Sequence, residues 1–251
     1  MSLLDYQTRL RFERDDGIYA GAMTICSGRT LESLRDGAQD FLHEAEQSVL
    51  GKMKYERRQF SYLSGRFALK EALSFMAPSS SRNRWHVASG VFGQPYLKMA
   101  GGSVYDVSIS HCQDVAMALA VEPGHPVAVD VEILEKKMEE TLCAQVLDGE
   151  WELPFPESLS EAERALVLWT AKEALSKILK TGMMVPFELY ETTTIAATPY
   201  GLSFEFKNFA QYKAEIFFEM PYCFAMAYPK KSRLNYNPIL PVVFQGGMMG
   251  R

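Results

Sequence analysis

The chain has little cysteine, only Cys26, Cys112, Cys143 and Cys223 in 251 residues. None lies in a C-x-x-C pair, so a structural zinc site is not expected. Four reduced, mostly buried thiols are expected. Histidine is as scarce, and His43, His86 and His125 have no ligand-like spacing. No apolar run approaches the roughly 20 residues of a membrane-spanning helix. The stretch Met1 to Gly17, with Arg9, Arg11, Arg14, Asp15 and Asp16, does not read as a secretory signal. Positive charge is not in excess either: 26 Lys and Arg stand against 31 Asp and Glu, a net charge of −5. That argues against a general binder of nucleic acid or anionic membrane. What remains is an ordinary globular composition, 47% hydrophobic and 23% charged. A cytoplasmic monomer is expected.

At this length the chain accommodates one large domain or two small ones. Ile18 to Cys26 alternates and predicts a strand, and Leu31, Leu34, Ala38, Phe41 and Leu42 recur at helical spacing after Thr30. Phe60, Leu63, Phe67, Ala68 and Leu73 predict a second helix, ended by Pro78-Ser79-Ser80-Ser81. Short strands are predicted at Trp85–Ala88, Tyr96–Met99, Val104–Ser110, Val115–Val121 and Pro126–Leu134. The turn Glu122-Pro123-Gly124-His125-Pro126 is the best internal boundary, dividing residues 1–124 from 125–251. Ser160-Glu161-Ala162-Glu163 has the capping-box form and opens a helix carried by Leu166, Trp169, Leu175 and Ile178, with Gly182 placed to close it. Val185 to Tyr228 predicts three or four antiparallel strands, and the tail from Asn235 is expected to be poorly ordered unless it docks. The halves echo each other: Ala68-Leu69-Lys70-Glu71-Ala72-Leu73 resembles Thr170-Ala171-Lys172-Glu173-Ala174-Leu175. A duplicated α+β unit is the economical reading.

Two acidic motifs carry the chemistry. In Val129-Asp130-Val131-Glu132 the carboxylates share one face of a strand, since alternate side chains do. In Trp169 to Lys177, Glu173 and Lys177 share one helix stripe. Three carboxylates and a lysine suit a divalent cation and a pyrophosphate, because Mg²⁺ takes oxygen ligands and is completed by substrate phosphates. Separately, the strand motif reads equally well as a solvated face, and the helix pair alone reads more readily as an ordinary exposed pair. Ser108-Ile109-Ser110-His111 ends a strand with groups able to donate to a phosphate. No G-x-S-x-G elbow accompanies it, so a hydrolase triad fits poorly. Gly93-Gln94-Pro95 makes a turn, Gly93 allowing close backbone approach. Lys52, Lys54, Arg57, Arg58 and Arg66 cluster in an otherwise acidic protein, as a solvated helix face or a site for a phosphorylated nucleotide.

In order and spacing, these pieces resemble the 4′-phosphopantetheinyl transferases of the larger, surfactin-synthetase-activating (Sfp-like) type. The match runs from about Leu42 to Lys180, through Gly65-Arg66, Gly93-Gln94-Pro95, Ser108 to His111, Ala128 to Glu132, and Trp169 to Lys177. The resemblance implies two similar α+β subdomains with coenzyme A in the cleft between them. It implies that a serine of an apo acyl or peptidyl carrier protein attacks the β-phosphate, releasing adenosine 3′,5′-bisphosphate. Asp130, Glu132 and Glu173 would hold Mg²⁺, Glu173 acting also as general base, directly or through water, because a nearby cation lowers its pKa. Lys177 would neutralise phosphoryl charge. Ser110 and His111 would contact the 3′-phosphate, assisted by Arg57 or Arg58, Lys52 and Lys54, with Arg66, Gly93, Gln94 and Pro95 in the coenzyme site. Gln94 stands where the family usually has Lys, removing one positive charge, and Ala128 replaces the usual Gly. Trp151, Leu153 and Phe155 offer either a carrier-docking patch or core packing. A noncatalytic carrier binder and a metal-dependent nucleotide phosphohydrolase are the alternatives. The fatty acid, polyketide and nonribosomal peptide pathways are all open as the source of the carrier.

Overall fold

The structure is a computed structural model in which residues 4–98 and 104–236 are described. The chain divides into two compact units, one of residues 1–126 with the segment from Arg233, the other Val127–Ser232. The division falls at Pro126, at the end of the turn expected to mark it. The return of the chain at Arg233 to the first unit was not foreseen.

In the first unit β1 (Leu4–Arg14) and β2 (Gly17–Ser27) form a hairpin. The sheet continues through β6 (Val115–Val121) to β5 (Asp106–Cys112), and β12 (Arg233–Tyr236) pairs with the outer edge of β1. Strand β1 has a legible alternation that the sequence reading missed. Tyr6, Thr8, Leu10 and Phe12 are buried while Gln7, Arg9 and Arg11 face water, so the charges conceal a half-buried strand. The tail expected to be loose begins in β12; residues 237–251 lie outside the described residues.

Three short helices follow β2: α1 (Leu31–Asp36), α2 (Ala38–Phe41) and α3 (Glu44–Leu50). Thr30 caps α1, accepting from Ser33 N at 3.1 Å. The single helix expected from Thr30 is therefore broken at Gly37. The long α4 (Glu56–Met76) packs Ala68, Leu69, Ala72 and Leu73 against Ala116, Ala118 and Ala120 of β6. Between them a small hairpin, β3 (Val87–Ser89) with β4 (Pro95–Leu97), carries the Gly93-Gln94 turn.

The second unit repeats the scheme. Strand β7 (Ala128–Ile133) precedes the short α5 (Glu139–Cys143) and the long α6 (Glu161–Leu179). Four antiparallel strands follow, β8 (Thr192–Thr198), β9 (Gly201–Phe206), β10 (Tyr212–Glu219) and β11 (Tyr222–Pro229), in the order β7-β11-β10-β9-β8. Here Cys223, Ala225 and Ala227 of β11 join the cluster formed with Ala171, Ala174 and Leu175 of α6. Small residues at every second position of the strand beside β2 or β7 let each long helix settle close to its sheet. Ser160 caps α6, its amide donating to Glu163 Oε2 at 2.8 Å. Closure falls to Lys180, whose φ of 56° is left-handed, two residues before the Gly182 expected for it. The four cysteines form no disulfide among the described residues.

Candidate active site

Asp130 and Glu132 lie on β7 directly opposite Ala225 and Cys223 of β11. Residues opposite each other in an antiparallel pair share a face. Both carboxylates therefore stand on the sheet face covered by α6, with small side chains beside them. Asp130 is buried, at 3% exposure, and Glu132 is half-buried. From the last turn of α6, Lys177 reaches back: its Nζ donates to Asp130 Oδ1 at 2.7 Å and to the Val129 carbonyl at 3.1 Å. Glu173, one turn earlier on the same stripe, is half-buried. Burial pushes its pKa up from 4.5 to about 7, and the charge of Asp130 adds to that, while Lys177 and a Ser176 hydrogen bond oppose it.

Among the described residues no group of three or more His, Cys, Asp or Glu side chains is gathered as a metal would require. The donor set still fits Mg²⁺. That ion is commonly held through one or two carboxylates and completed by water and substrate phosphates rather than by a full protein cage. Two carboxylates that repel each other in a buried place are stabilised by a cation entering beside them.

Lys172, inside the same motif, is fully buried and pairs with buried Glu150 at 2.6 Å. Trp169 is half-buried and stacks on Phe187, ring centroids 5.6 Å apart. Trp151, Leu153 and Phe155 are half-buried and pack against the second unit's core, which favours the packing alternative for them over a docking patch.

The first unit holds the remaining candidates. Gly65 of α4 lies against β5: a Cβ there would meet Ile109 Cγ2 at 2.8 Å and His111 Cδ2 at 3.8 Å. Glycine thus permits the close approach that sets α4 beside the Ser110-His111 strand end. Ser110 is buried and His111 exposed. Lys52, Lys54, Arg57 and Arg58 are all exposed, the arginines in the first turn of α4. Arg66 is different. It is buried, with Nε on Glu46 Oε1 at 3.0 Å and its guanidinium over the Tyr62 ring at 4.7 Å. Its charge is taken up within the core, so it is left out of the proposed coenzyme site. Gln94 serves its own turn, its Oε1 accepting from Phe92 N at 3.0 Å. Among the described residues nothing lies within 4 Å of a Cβ at Gly93, whose φ is +81°. Its glycine therefore answers a left-handed backbone. Pro95 opens β4.

The family model described as the 4′-phosphopantetheinyl transferase superfamily matches residues 126–227. A "Holo-[acyl-carrier-protein] synthase" of Acholeplasma laidlawii (strain PG-8A) is 35% identical over 86 residues, 32% of this chain and 73% of that protein. This chain belongs to the 4′-phosphopantetheinyl transferase superfamily. A protein of the same description from Halalkalibacterium halodurans is 36% identical over 85 residues, 32% of this transferase and 71% of the other. Among solved structures, a holo-(acyl-carrier-protein) synthase from Bacillus anthracis in complex with CoA (3′,5′-ADP) aligns with TM-score 0.32 and 21% identity. It covers 48% of this chain and 97% of its own. The matched segment holds β7 and α6, and so every residue of the carboxylate site. Among the transferase's described residues no helix is long and apolar enough to cross a membrane.

Proposed function

We propose that this transferase moves the 4′-phosphopantetheine group of coenzyme A to a serine of an apo carrier protein, with Mg²⁺ as the ion. The observation that carries the reading is Lys177 of α6 donating to Asp130 of β7, which sets the helix stripe that also carries Glu173 beside that aspartate. The serine Oγ bonds to the β-phosphorus, and the bond from that phosphorus to the oxygen bridging to the α-phosphate breaks. Adenosine 3′,5′-bisphosphate leaves. The serine proton passes to the Glu173 carboxylate, directly or through one water. Lys177 Nζ places a positive charge beside Asp130, where it can follow charge that develops on the phosphoryl oxygens. Mg²⁺ held by Asp130 and Glu173, with Glu132 next on the same strand face, would supply neutralisation of the pyrophosphate. Ser110 and His111 are assigned to the 3′-phosphate, with Arg57, Arg58, Lys52 and Lys54 as exposed cations of the same unit.

The test is coenzyme A consumption with and without apo carrier protein. Consumption only with carrier, coupled to pantetheinylated product, is expected. Consumption without carrier would make the protein a phosphohydrolase, and none in either case a noncatalytic binder. Asp130→Ala and Glu173→Ala should each lower turnover by about a hundredfold or more while the fold is kept. Near-normal turnover of Glu173→Ala at saturating Mg²⁺ would overturn the assignment. His111→Ala should weaken coenzyme A more than dephospho-coenzyme A, which lacks the 3′-phosphate.

A further inference from the structure

Glu150 belongs to none of the motifs that point to the reaction, yet it is fully buried and its carboxylate is fully engaged. Its Oε2 accepts from Lys172 Nζ at 2.6 Å and from the Leu147 amide at 3.0 Å. Its Oε1 accepts from the Thr192 amide at 2.8 Å. Lys172 Nζ also sits 4.2 Å from the centroid of the Phe187 ring. One carboxylate therefore ties α6 to the segment before it and to the first residue of β8. Lys172 immediately precedes Glu173.

We propose that Glu150 is a positioning residue: through Lys172 it fixes the rotation of α6 about its axis and so holds Glu173 opposite Asp130. The proposal rests on the reading of Asp130 and Glu173 as phosphoryl-transfer carboxylates. Apolar contacts alone hold a helix on a sheet but resist rotation weakly, whereas a charge-assisted hydrogen bond is short and directional. A carboxylate about 6 Å from the axis shifts by about 1 Å for each 10° of helix rotation. A misplacement of that size costs up to about a hundredfold in rate. Burying the two ions is costly and a well-packed apolar pair would hold the fold as well, so the gain from the pair is geometric.

The first unit contains a matched control. Lys70, in the same Lys-Glu-Ala-Leu tetrapeptide, donates to Glu46 Oε2 at 2.7 Å, and that oxygen also accepts from the His43 amide at 2.9 Å. In both units one carboxylate oxygen serves a buried lysine and the amide three residues upstream. The residue after Lys70, however, is Glu71, which pairs with Arg82 instead of facing a second carboxylate.

Glu150→Gln and Glu46→Gln, compared in the full chain, test the proposal. Mn²⁺ affinity is measured by electron paramagnetic resonance with coenzyme A present and carrier absent, alongside kcat, KM and melting temperature. Both variants should melt lower. Glu150→Gln alone should weaken Mn²⁺ and lower kcat by about tenfold or more, the range for residues that orient metal ligands, with KM for coenzyme A nearly unchanged. Equal Mn²⁺ affinity in wild type and Glu150→Gln, or equal effects of the two variants on it, would overturn the proposal. Should Glu150→Gln fail to fold, Lys172→Arg keeps the charge and displaces the contact. Folded Lys172→Arg with unaltered Mn²⁺ affinity overturns it equally. Glu173→Gln separates the two readings: if it keeps full transfer activity, the proposed function fails first. If it abolishes transfer while Glu150→Gln is unaffected, only the positioning role fails.

Discussion

Glu173, proposed as the general base, sits in an environment that disfavours its charged form. A carboxyl raised from 4.5 to about 7 by burial and by Asp130 binds its proton more tightly in the folded protein than in the unfolded chain. Folding therefore gains from it below about pH 4.5, and the gain is lost as pH rises through about 7. Above that, ionising Glu173 beside Asp130 costs on the order of 2 kcal/mol, at 1.36 kcal/mol per pKa unit with some loss to screening. Glu173→Gln keeps the shape and removes the charge. In EDTA at pH 8 the variant should resist urea better than wild type by about that amount, the difference closing by pH 5. Equal midpoints at pH 8 would mean that Glu173 is hydrated and its charge is not disfavoured in the folded protein. The grouping of Asp130 with Glu132 and of Glu173 with Lys177 was legible because periodicity alone places alternate strand residues and i, i+4 helix residues on common faces. Glu150 was not legible: besides the Leu147 amide three residues upstream, its partners lie 22 and 42 residues away, where the local sequence says nothing of them.

At the scale of elements, hydrophobic period found most helices and strands, and β6 falls on the predicted Val115–Val121. It failed where charge masks alternation, as in β1, and where a backbone conformation decides an end, as at Lys180. The β3-β4 hairpin shows the same limit. Gln94 reads by resemblance as a weakened lysine, but its amide oxygen accepts from Phe92 N and Gly90 N donates to its carbonyl at 2.8 Å. Gln94→Lys removes the side-chain acceptor, so coenzyme A binding is not expected to tighten from the added charge. Gly93→Ala forces an L side chain into φ +81° and should cost about 1 kcal/mol. Gln94→Ala should cost about half as much, as for one exposed hydrogen bond. Urea midpoints of the two variants check the order; Gly93→Ala as stable as wild type would mean that the turn relaxes to another conformation.

For the whole molecule, duplication was legible in one repeated tetrapeptide, and the structure extends the echo to Ala116, Ala118 and Ala120 against Cys223, Ala225 and Ala227. The units differ in how they respond to pH. His125 is fully buried in the first, its ring 4.3 Å from that of Phe12 and 5.2 Å from that of Tyr19, and neither nitrogen has a hydrogen-bond partner among the described residues. Burial pushes its pKa down from 6.5 to about 4, with Arg14 adding to the fall and Asp16 opposing it. Such a group contributes stability that is complete above about pH 6.5 and is lost as pH falls toward 4, the reverse of Glu173. His125→Phe keeps an aromatic ring between Phe12 and Tyr19 and removes the titrating nitrogens. It should leave stability near pH 8 within about 1 kcal/mol and, by 1.36 kcal/mol per pKa unit, should gain on the order of 2 kcal/mol over wild type by pH 4.5. Urea denaturation followed through the fluorescence of Trp85, with Trp151 and Trp169 replaced by Phe, reports on the first unit, where Trp85 is buried. Parallel pH profiles for His125→Phe and its parent would show that His125 is hydrated or already charged in the folded protein, and the acid sensitivity would then lie elsewhere.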